Sequence, residues 1–399
     1  MLRRFRLAAF AFVVAFVVPA CARERIELAA GITAAEMRFE LIDNRIFLEA
    51  RINGQRPYQF IFDTGGQNVL DPATARELGL ALRDESSQIG AGAQAQRSWR
   101  TDVALAEIGP VRLRDHEFMV LDLATIRHAI GFRRLDGLVG RELFERFIVD
   151  IDFEGLKLRF IEPSGWTPSP AHGRRVPLAF VGGGIPSIDA TIDGVRGELA
   201  IDTGDRSSLT LFSPFVARER LREKYARRIS AVTGWGVGGP IPADVTRAER
   251  LSFGGFDIAR VVARMPTLQT GVFASDISAG SIGNGVLKRF RATFDYGGKQ
   301  LFLAPNASFV ADDQLDRSGL WLSQHARGFE VMSVVAGSPA EQAGIKVGDV
   351  VTAVDGRAAR DLFLVELRER LKRDPAGTVV RMKLERLGAV ASLTLRDLL

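Results

Sequence analysis

Two aspartates stand out because each sits at the centre of the same kind of heptapeptide. Phe60-Ile61-Phe62-Asp63-Thr64-Gly65-Gly66 returns, 139 residues later, as Leu199-Ala200-Ile201-Asp202-Thr203-Gly204-Asp205. In both copies an apolar run of β-branched and aromatic residues ends in Asp-Thr-Gly, which delivers a carboxylate at a strand-to-turn junction inside a hydrophobic wall. Brought together, two such carboxylates could share one proton. The charged one would take a proton from water while the neutral one protonates a carbonyl oxygen, with no metal and no covalent intermediate. At about 3 Å, two full negative charges repel by ~5 kcal/mol at an effective dielectric near 20, so such a pair titrates as one unit.

The elements that must position these residues repeat as well. Arg45-Ile46-Phe47-Leu48-Glu49-Ala50-Arg51-Ile52 precedes an Asn53-Gly54 turn, and Ser187-Ile188-Asp189-Ala190-Thr191-Ile192 precedes Asp193-Gly194. Both are alternating strands closed by dipeptides that favour a tight hairpin, so the Asp lies on the return strand. Downstream, Asp136-Gly137-Leu138-Val139-Gly140 is answered by Ala279-Gly280-Ser281-Ile282-Gly283, and Ile151 to Leu158 by Phe294 to Leu301. A period this long means that one unit was copied and that the two copies pack together. Asp71-Pro72 through Gly79 reads as a capped helix in the first copy, and Ser213-Pro214 opens a helix through Tyr225 in the second.

Hydrophobic-hydrophobic-Asp-Thr-Gly, followed about 75 to 80 residues later by hydrophobic-hydrophobic-Gly, resembles one lobe of the aspartic peptidases, the pepsin and retropepsin group. The resemblance covers roughly residues 39 to 304. It implies a mostly β protein in which two pepsin/retropepsin-like β-barrel lobes, 33–162 and 176–305, share a cleft and are joined by a Pro- and Ser-rich linker, 163–175. It also implies that Asp63 and Asp202 are the catalytic dyad, with the choice of base and acid left open. Gly65 and Gly204 would let backbone N–H groups bond each Asp, and Thr64 and Thr203 would brace the two loops. The family's fourth position is usually a Ser or Thr whose hydroxyl supports the outer Asp oxygen. Here it is Gly66 and Asp205, and a third carboxylate at 205 would shift the working pH. The glycine-rich tips around Gly90 and Gly92, and around Gly234 and Trp235, fall where the family has its flap. Trp99 or Trp235 is the expected substrate-facing aromatic.

Beyond a second linker, 306–317, the pattern changes. Ala336-Gly337-Ser338-Pro339-Ala340-Glu341 to Val354-Asp355-Gly356 holds a capping box, a Pro at the first helical position, and Gly344 to end the helix. This string looks like a bacterial PDZ domain, 318–399, with a second helix over roughly Arg360 to Arg373 and a final strand over Thr378 to Glu385. Such domains take a peptide C-terminus as an added strand, its carboxylate held by backbone N–H groups. The matching loop is Gly319, Leu320, Trp321 and Leu322, after Ser318, and it departs from the usual Gly-Leu-Gly-Phe.

The chain opens on Met1-Leu2-Arg3-Arg4-Phe5-Arg6 and an apolar run from Leu7 to Val18. These are the n- and h-regions of a secretory signal over residues 1–22, too short to span a bilayer comfortably. Ala20-Cys21-Ala22 suits an ordinary signal peptidase. Val18-Pro19-Ala20-Cys21 suits a lipobox, which would make Cys21, the single cysteine, a lipidation site. Either cut places the protein in the periplasm or cell envelope, without disulfides. The formal charge is +5, and removing Arg3, Arg4 and Arg6 leaves 5 − 3 = +2, so nucleic acid is not an implied partner. His116, His128, His172 and His325 lack metal-ligand spacing and read as surface or loop residues; no Gly-x-Ser-x-Gly and no phosphate loop occurs, and no cofactor is expected.

The expectation is an exported, monomeric aspartic endopeptidase acting on extended polypeptide, its PDZ domain binding peptide C-termini. A retropepsin-style homodimer, in which each chain lends one useful Asp, is a weaker variant of it. The alternative is a catalytically inert peptide-binding adaptor of the cell envelope, and an anchored envelope scaffold is a third reading.

Overall fold

The computed structural model describes residues 25–131, 134–386 and 388–399; the leader and Cys21 lie outside them. Alternation becomes hairpin as expected. Arg45–Ile52 pairs antiparallel with Pro57–Asp63, and Ile185–Ile192 with Val195–Asp202. Asn53 and Gly54 have φ of 50° and 71°, and Asp193 and Gly194 of 47° and 86°, the double left-handed geometry that these dipeptides tolerate.

A third strand then runs parallel to each Asp-bearing strand. Gly137–Gly140 lies beside Phe60–Asp63 with Gly140 opposite Asp63, and Gly280–Gly283 lies beside Leu199–Asp202 with Gly283 opposite Asp202. Close backbone approach requires these glycines: a Cβ at Gly140 would sit 1.7 Å from the Asp63 carbonyl oxygen, and one at Gly283 2.4 Å from that of Ser207. The first repeat builds a nine-stranded sheet and the second an eight-stranded one. Between them a six-stranded sheet draws strands from both, with Ile148–Asp152 pairing Phe290–Asp295 across the pseudo-symmetry. There the buried Asp150 carboxylate accepts from Arg291 and from the Thr293 hydroxyl at 2.9 Å.

An aromatic column fills the space below the Asp turns. Phe62 stacks on Phe144 at 4.8 Å, and Phe144 meets Phe294 at 5.1 Å and Tyr296 at 5.4 Å, so the two repeats share one core. The C-terminal domain has its own core and its own six-stranded sheet, in which Leu320–His325 is an edge strand.

The 163–175 linker is packed: Trp166 lies 4.5 Å from His172 and 5.8 Å from Phe302, and Arg174–Pro177 is a strand of the shared sheet. Three sequence expectations need correcting. The second-repeat helix is two pieces, Ser213–Arg218 and Leu221–Lys224, broken where Arg220 takes a φ of 52°. The second PDZ helix starts at Leu364, after a 3-10 turn at Ala359–Asp361. Val379–Leu384 is followed by one more strand, Val390–Thr394.

The contact at Gly140 makes a direct prediction. Gly140→Ala should cost at least about 3 kcal/mol in urea unfolding, the upper end of overpacking costs, because the obstacle is backbone that cannot move aside. A loss under 1 kcal/mol would show that the parallel pairing is looser than described.

Candidate active site

The Asp63 and Asp202 turns are joined by a crossed set of hydrogen bonds. Thr64 N–H donates to the Thr203 hydroxyl at 2.9 Å, and Thr203 N–H donates to the Thr64 hydroxyl at 3.0 Å. Each hydroxyl then donates onward into the opposite strand, Thr64 to the Ile201 carbonyl at 2.7 Å and Thr203 to the Phe62 carbonyl at 3.0 Å. Both threonines are fully buried, so none of these groups has water as a substitute partner. The bracing implied for Thr64 and Thr203 is thus what the fold contains.

The inner oxygen of each Asp is fixed by backbone. Asp63 Oδ1 accepts from Gly65 N–H at 2.9 Å and Gly66 N–H at 3.0 Å; Asp202 Oδ1 accepts from Gly204 N–H at 2.9 Å and Asp205 N–H at 3.1 Å. Asp63 Oδ2 reaches across the lobe boundary, since a Cβ on Gly204 would lie 2.5 Å from it. Burial raises the pKa of Asp63 against the pull of those N–H groups. Asp202 is raised further, first by burial and then by the negative charges of Asp63 and Asp205. The Tyr296 hydroxyl donates to the Thr64 carbonyl at 3.3 Å, tying the aromatic column to the turn.

The fourth positions explain themselves on opposite grounds. A Cβ at Gly66 would come within 2.8 Å of Asp63 Oδ2, so a larger residue there would push the Asp63 carboxylate aside. Asp205 turns away from the dyad. Its carboxylate accepts from Thr210 at 2.8 Å, from Ser207 N–H at 2.9 Å, and from Arg264 Nη2 at 2.9 Å to each oxygen. Burial is the largest influence on Asp205 and opposes its ionisation, but Arg264 together with the hydrogen bonds from Ser207 and Thr210 outweighs it and holds the carboxyl below its ordinary range. Among the described residues, no side chain donates to the outer oxygen of either catalytic candidate. Arg264 was not legible in sequence, because nothing in the run Ala263-Arg264-Met265 marks an arginine that points inward. Asn284, whose Nδ2 donates to the Thr203 carbonyl at 2.6 Å, was equally silent.

Gly90 and Gly92 cap a hairpin between Arg83–Ile89 and Ala95–Ile108. Gly234 and Trp235 lie on the arm Ile229–Gly236 of the matching hairpin, one turn short of its tip at Val237-Gly238. The two tips are bonded to each other: Gly92 N–H donates to the Val237 carbonyl at 2.7 Å, and Gln94 N–H to that of Gly238 at 3.0 Å. The tryptophan expectation is corrected. Trp99 packs on the lobe-1 core, and Trp235 lies 5.5 Å from Trp321 of the C-terminal domain, so packing occupies both rings. His116 is buried rather than superficial. No cluster of metal-ligating side chains occurs among the described residues.

In the C-terminal domain, the loop assigned to a peptide carboxylate already holds one. Asp316 Oδ1 accepts from Ser318 N–H at 2.9 Å and Gly319 N–H at 2.8 Å, and the Ser318 hydroxyl takes Leu320 N–H at 3.1 Å. Leu320, Trp321 and Leu322 begin the edge strand.

The Arg264 and Asp205 pair yields a test. Arg264→Met strands a buried carboxylate and should cost about 3–5 kcal/mol, whereas Asp205→Thr with Arg264→Met should recover most of that loss. Equal losses in urea unfolding would mean that the pair is not compensating charge.

Residues 48–143, within the first repeat, match a family model described as aspartyl protease, and residues 330–386 match one described as PDZ domain. No curated protein matches the chain. Among solved structures, it is similar to the aspartic proteinase from Irpex lacteus at 14% identity and a TM-score of 0.46, over 70% of this chain and 98% of that one. Basic 7S globulin from soybean is similar at 9% identity and a TM-score of 0.41, over 68% and 95%. The chain thus carries an aspartyl-protease-like domain followed by a PDZ domain.

Proposed function

We propose that this chain is an endopeptidase that cleaves extended polypeptide with a water activated by Asp63 and Asp202. One observation carries the reading: the crossed Thr64 and Thr203 bonds make two distant aspartates into a single site. In this mechanism Asp63 serves as the charged base and Asp202 as the neutral acid; burial and the Asp205 charge raise both carboxyls, and the chemistry is the same with the two roles exchanged. Asp63 takes a proton from water as the oxygen attacks the carbonyl carbon, and Asp202 gives its proton to the carbonyl oxygen. The resulting gem-diol collapses when Asp63 passes its proton to the leaving nitrogen and a diol hydroxyl returns one to Asp202, which restores the starting state. The joined hairpin tips would have to part to admit substrate.

The missing donors at the outer oxygens favour the second reading, an inert peptide-binding adaptor. Mutation separates the two. Asp63→Asn and Asp202→Asn, each made alone and assayed on a mixed peptide library between pH 3 and 8, should each lose at least ~10³-fold in cleavage. A wild type that binds peptides and cuts none at any pH would install the adaptor in its place. Localisation belongs to the same reading: export to the periplasm or envelope, with or without a lipid on Cys21, rests on residues 1–22.

The raised carboxyls also predict a stability effect of definite sign. A group whose pKa is higher in the folded protein than in the unfolded chain favours folding at low pH, and that benefit is lost as pH rises through the folded value. Asp202→Asn should therefore raise the melting temperature at pH 7 and leave it nearly unchanged at pH 3, a trade of activity for stability. A lower melting temperature at pH 7 would contradict the buried, proton-sharing pair.

A further inference from the structure

The C-terminal domain is docked on both lobes. Arg368 Nη2 donates to the Ala129 carbonyl at 2.6 Å, at the end of the lobe-1 helix Ala124–Ile130, and Trp321 lies 5.5 Å from Trp235 of lobe 2. Elsewhere along this seam the domain, the 306–317 linker and lobe 2 enclose a cleft of about 500 Å³, a volume ordinary for a ligand site. Five cations line it: Lys288 and Arg289 from lobe 2, Arg317 from the end of the linker, and Lys372 and Arg373 from the C-terminal helix Leu364–Arg373.

Only two of the five have a carboxylate. Arg317 pairs with Asp397 at 2.7 Å and Arg373 with Glu369 at 2.6 Å. Among the described residues, no acid lies within ion-pair distance of Lys288, Arg289 or Lys372. Arg289 is 4% exposed and reaches only carbonyls, those of Gly285 at 3.4 Å and Phe309 at 3.5 Å. The half-buried Lys288 ammonium donates only to the Asn44 side-chain oxygen, at 2.8 Å. The acids of the cleft leave the balance open. Asp313 is turned toward Val262 N–H at 2.8 Å, and Asp312 is exposed to solvent. Three unpaired cations against these two acids leave 3 − 2 = +1 in a partly desolvated space, which is costly without a counter-charge. Burial, with Lys372 and Arg373 nearby, pushes the Lys288 ammonium down to about 8 against the pull of Glu369 and Asp313.

The arrangement also selects among anions. Lys288 and Arg289 come from lobe 2 and Lys372 from the C-terminal domain, so the ligand must be bonded from more than one side. A carboxylate presents two oxygens in one plane; a phosphoryl group spreads three around a tetrahedron.

We propose that this cleft binds a phosphate group, free or carried by a lipid headgroup, and that the bound phosphate fastens the C-terminal domain to lobe 2 through Lys288, Arg289 and Lys372. The fastening bears on the Asp202 turn. Lys288 bonds Asn44, whose Nδ2 donates to the Arg206 carbonyl at 2.9 Å, and the short helix before it, Asn284–Leu287, supplies the Asn284 bond to the Thr203 carbonyl. Neither Asp63 nor Asp202 lines the cleft, so the binding does not depend on the peptidase reading.

The test titrates the full chain with inorganic phosphate and with glycerophosphoglycerol, the water-soluble phosphodiester of a phospholipid headgroup, beside acetate at matched ionic strength. Calorimetry reads binding, and melting reads the stability that a ligand of the folded state confers. At least one phosphate compound should bind and raise the melting temperature where acetate does not, and the tighter of the two names the source. Lys372→Gln should weaken that binding at least about tenfold, as expected for a lost charge-assisted bond. Lys383→Gln, which removes the same charge from an exposed strand position outside the cleft, should leave it unchanged. Lys288→Met is the second cleft variant, with the same loss expected. Hydrogen exchange at 306–317 and 371–375 should slow when the ligand is bound. No binding of either compound, an equal response to acetate, equal losses in the Lys372→Gln and Lys383→Gln proteins, or binding with unchanged exchange would each overturn the proposal.

Discussion

Two buried threonine hydroxyls hold this structure to its purpose. Each receives an N–H from the opposite turn and donates to the opposite strand, so neither Asp turn is complete without the other lobe. A hydrogen bond of this kind contributes only about 1 kcal/mol net, but leaving its buried groups unmatched costs about 1–3 kcal/mol each. The asymmetry makes the junction cooperative: it is either wholly formed or expensive. That matters because what it holds together would otherwise move apart. Two desolvated carboxylates repel, and the junction holds their turns against one another.

The remaining architecture supports that junction from below and behind. Phe62, Phe144, Phe294 and Tyr296 form one aromatic column through both repeats, and the shared sheet pairs Ile148–Asp152 with Phe290–Asp295. The two repeats share a backbone plan and differ at the residue after each Asp-Thr-Gly. In the first, Gly66 lies close against the Asp63 carboxylate; in the second, Asp205 is turned outward into Arg264 and Thr210. The pair of lobes is symmetric in its hydrogen bonds and asymmetric in its charge.

Much of this was legible because local chemistry announces it. Asn53-Gly54 and Asp193-Gly194 can only be tight turns between alternating strands, and two Asp-Thr-Gly triplets followed by paired glycines mark the lobes, since backbone approach leaves no room for a Cβ. The Ser338-Pro339 start of a short helix was equally plain. What stayed hidden depends on contacts between distant segments. Arg264 reads as an ordinary strand arginine until Asp205 is opposite it, and Arg368 as one charge among many on Leu364–Arg373 until the 124–130 helix arrives. Trp99 and Trp235 misled for the same reason, because an aromatic beside a glycine-rich tip can face substrate or a neighbouring domain, and sequence carries no record of the neighbour. Asp316 was invisible because a loop acid looks like solvation when it is in fact filling the nest of N–H groups beside it.

The claim on which the account stands is that Asp63 and Asp202 hold a single proton between them near neutral pH. Neutron diffraction from deuterium-exchanged crystals of residues 25–399 at pH 7 would observe it directly. The account predicts one deuteron at the dyad, shared between Asp63 and Asp202. Two bare carboxylates, or two fully protonated ones, would contradict it.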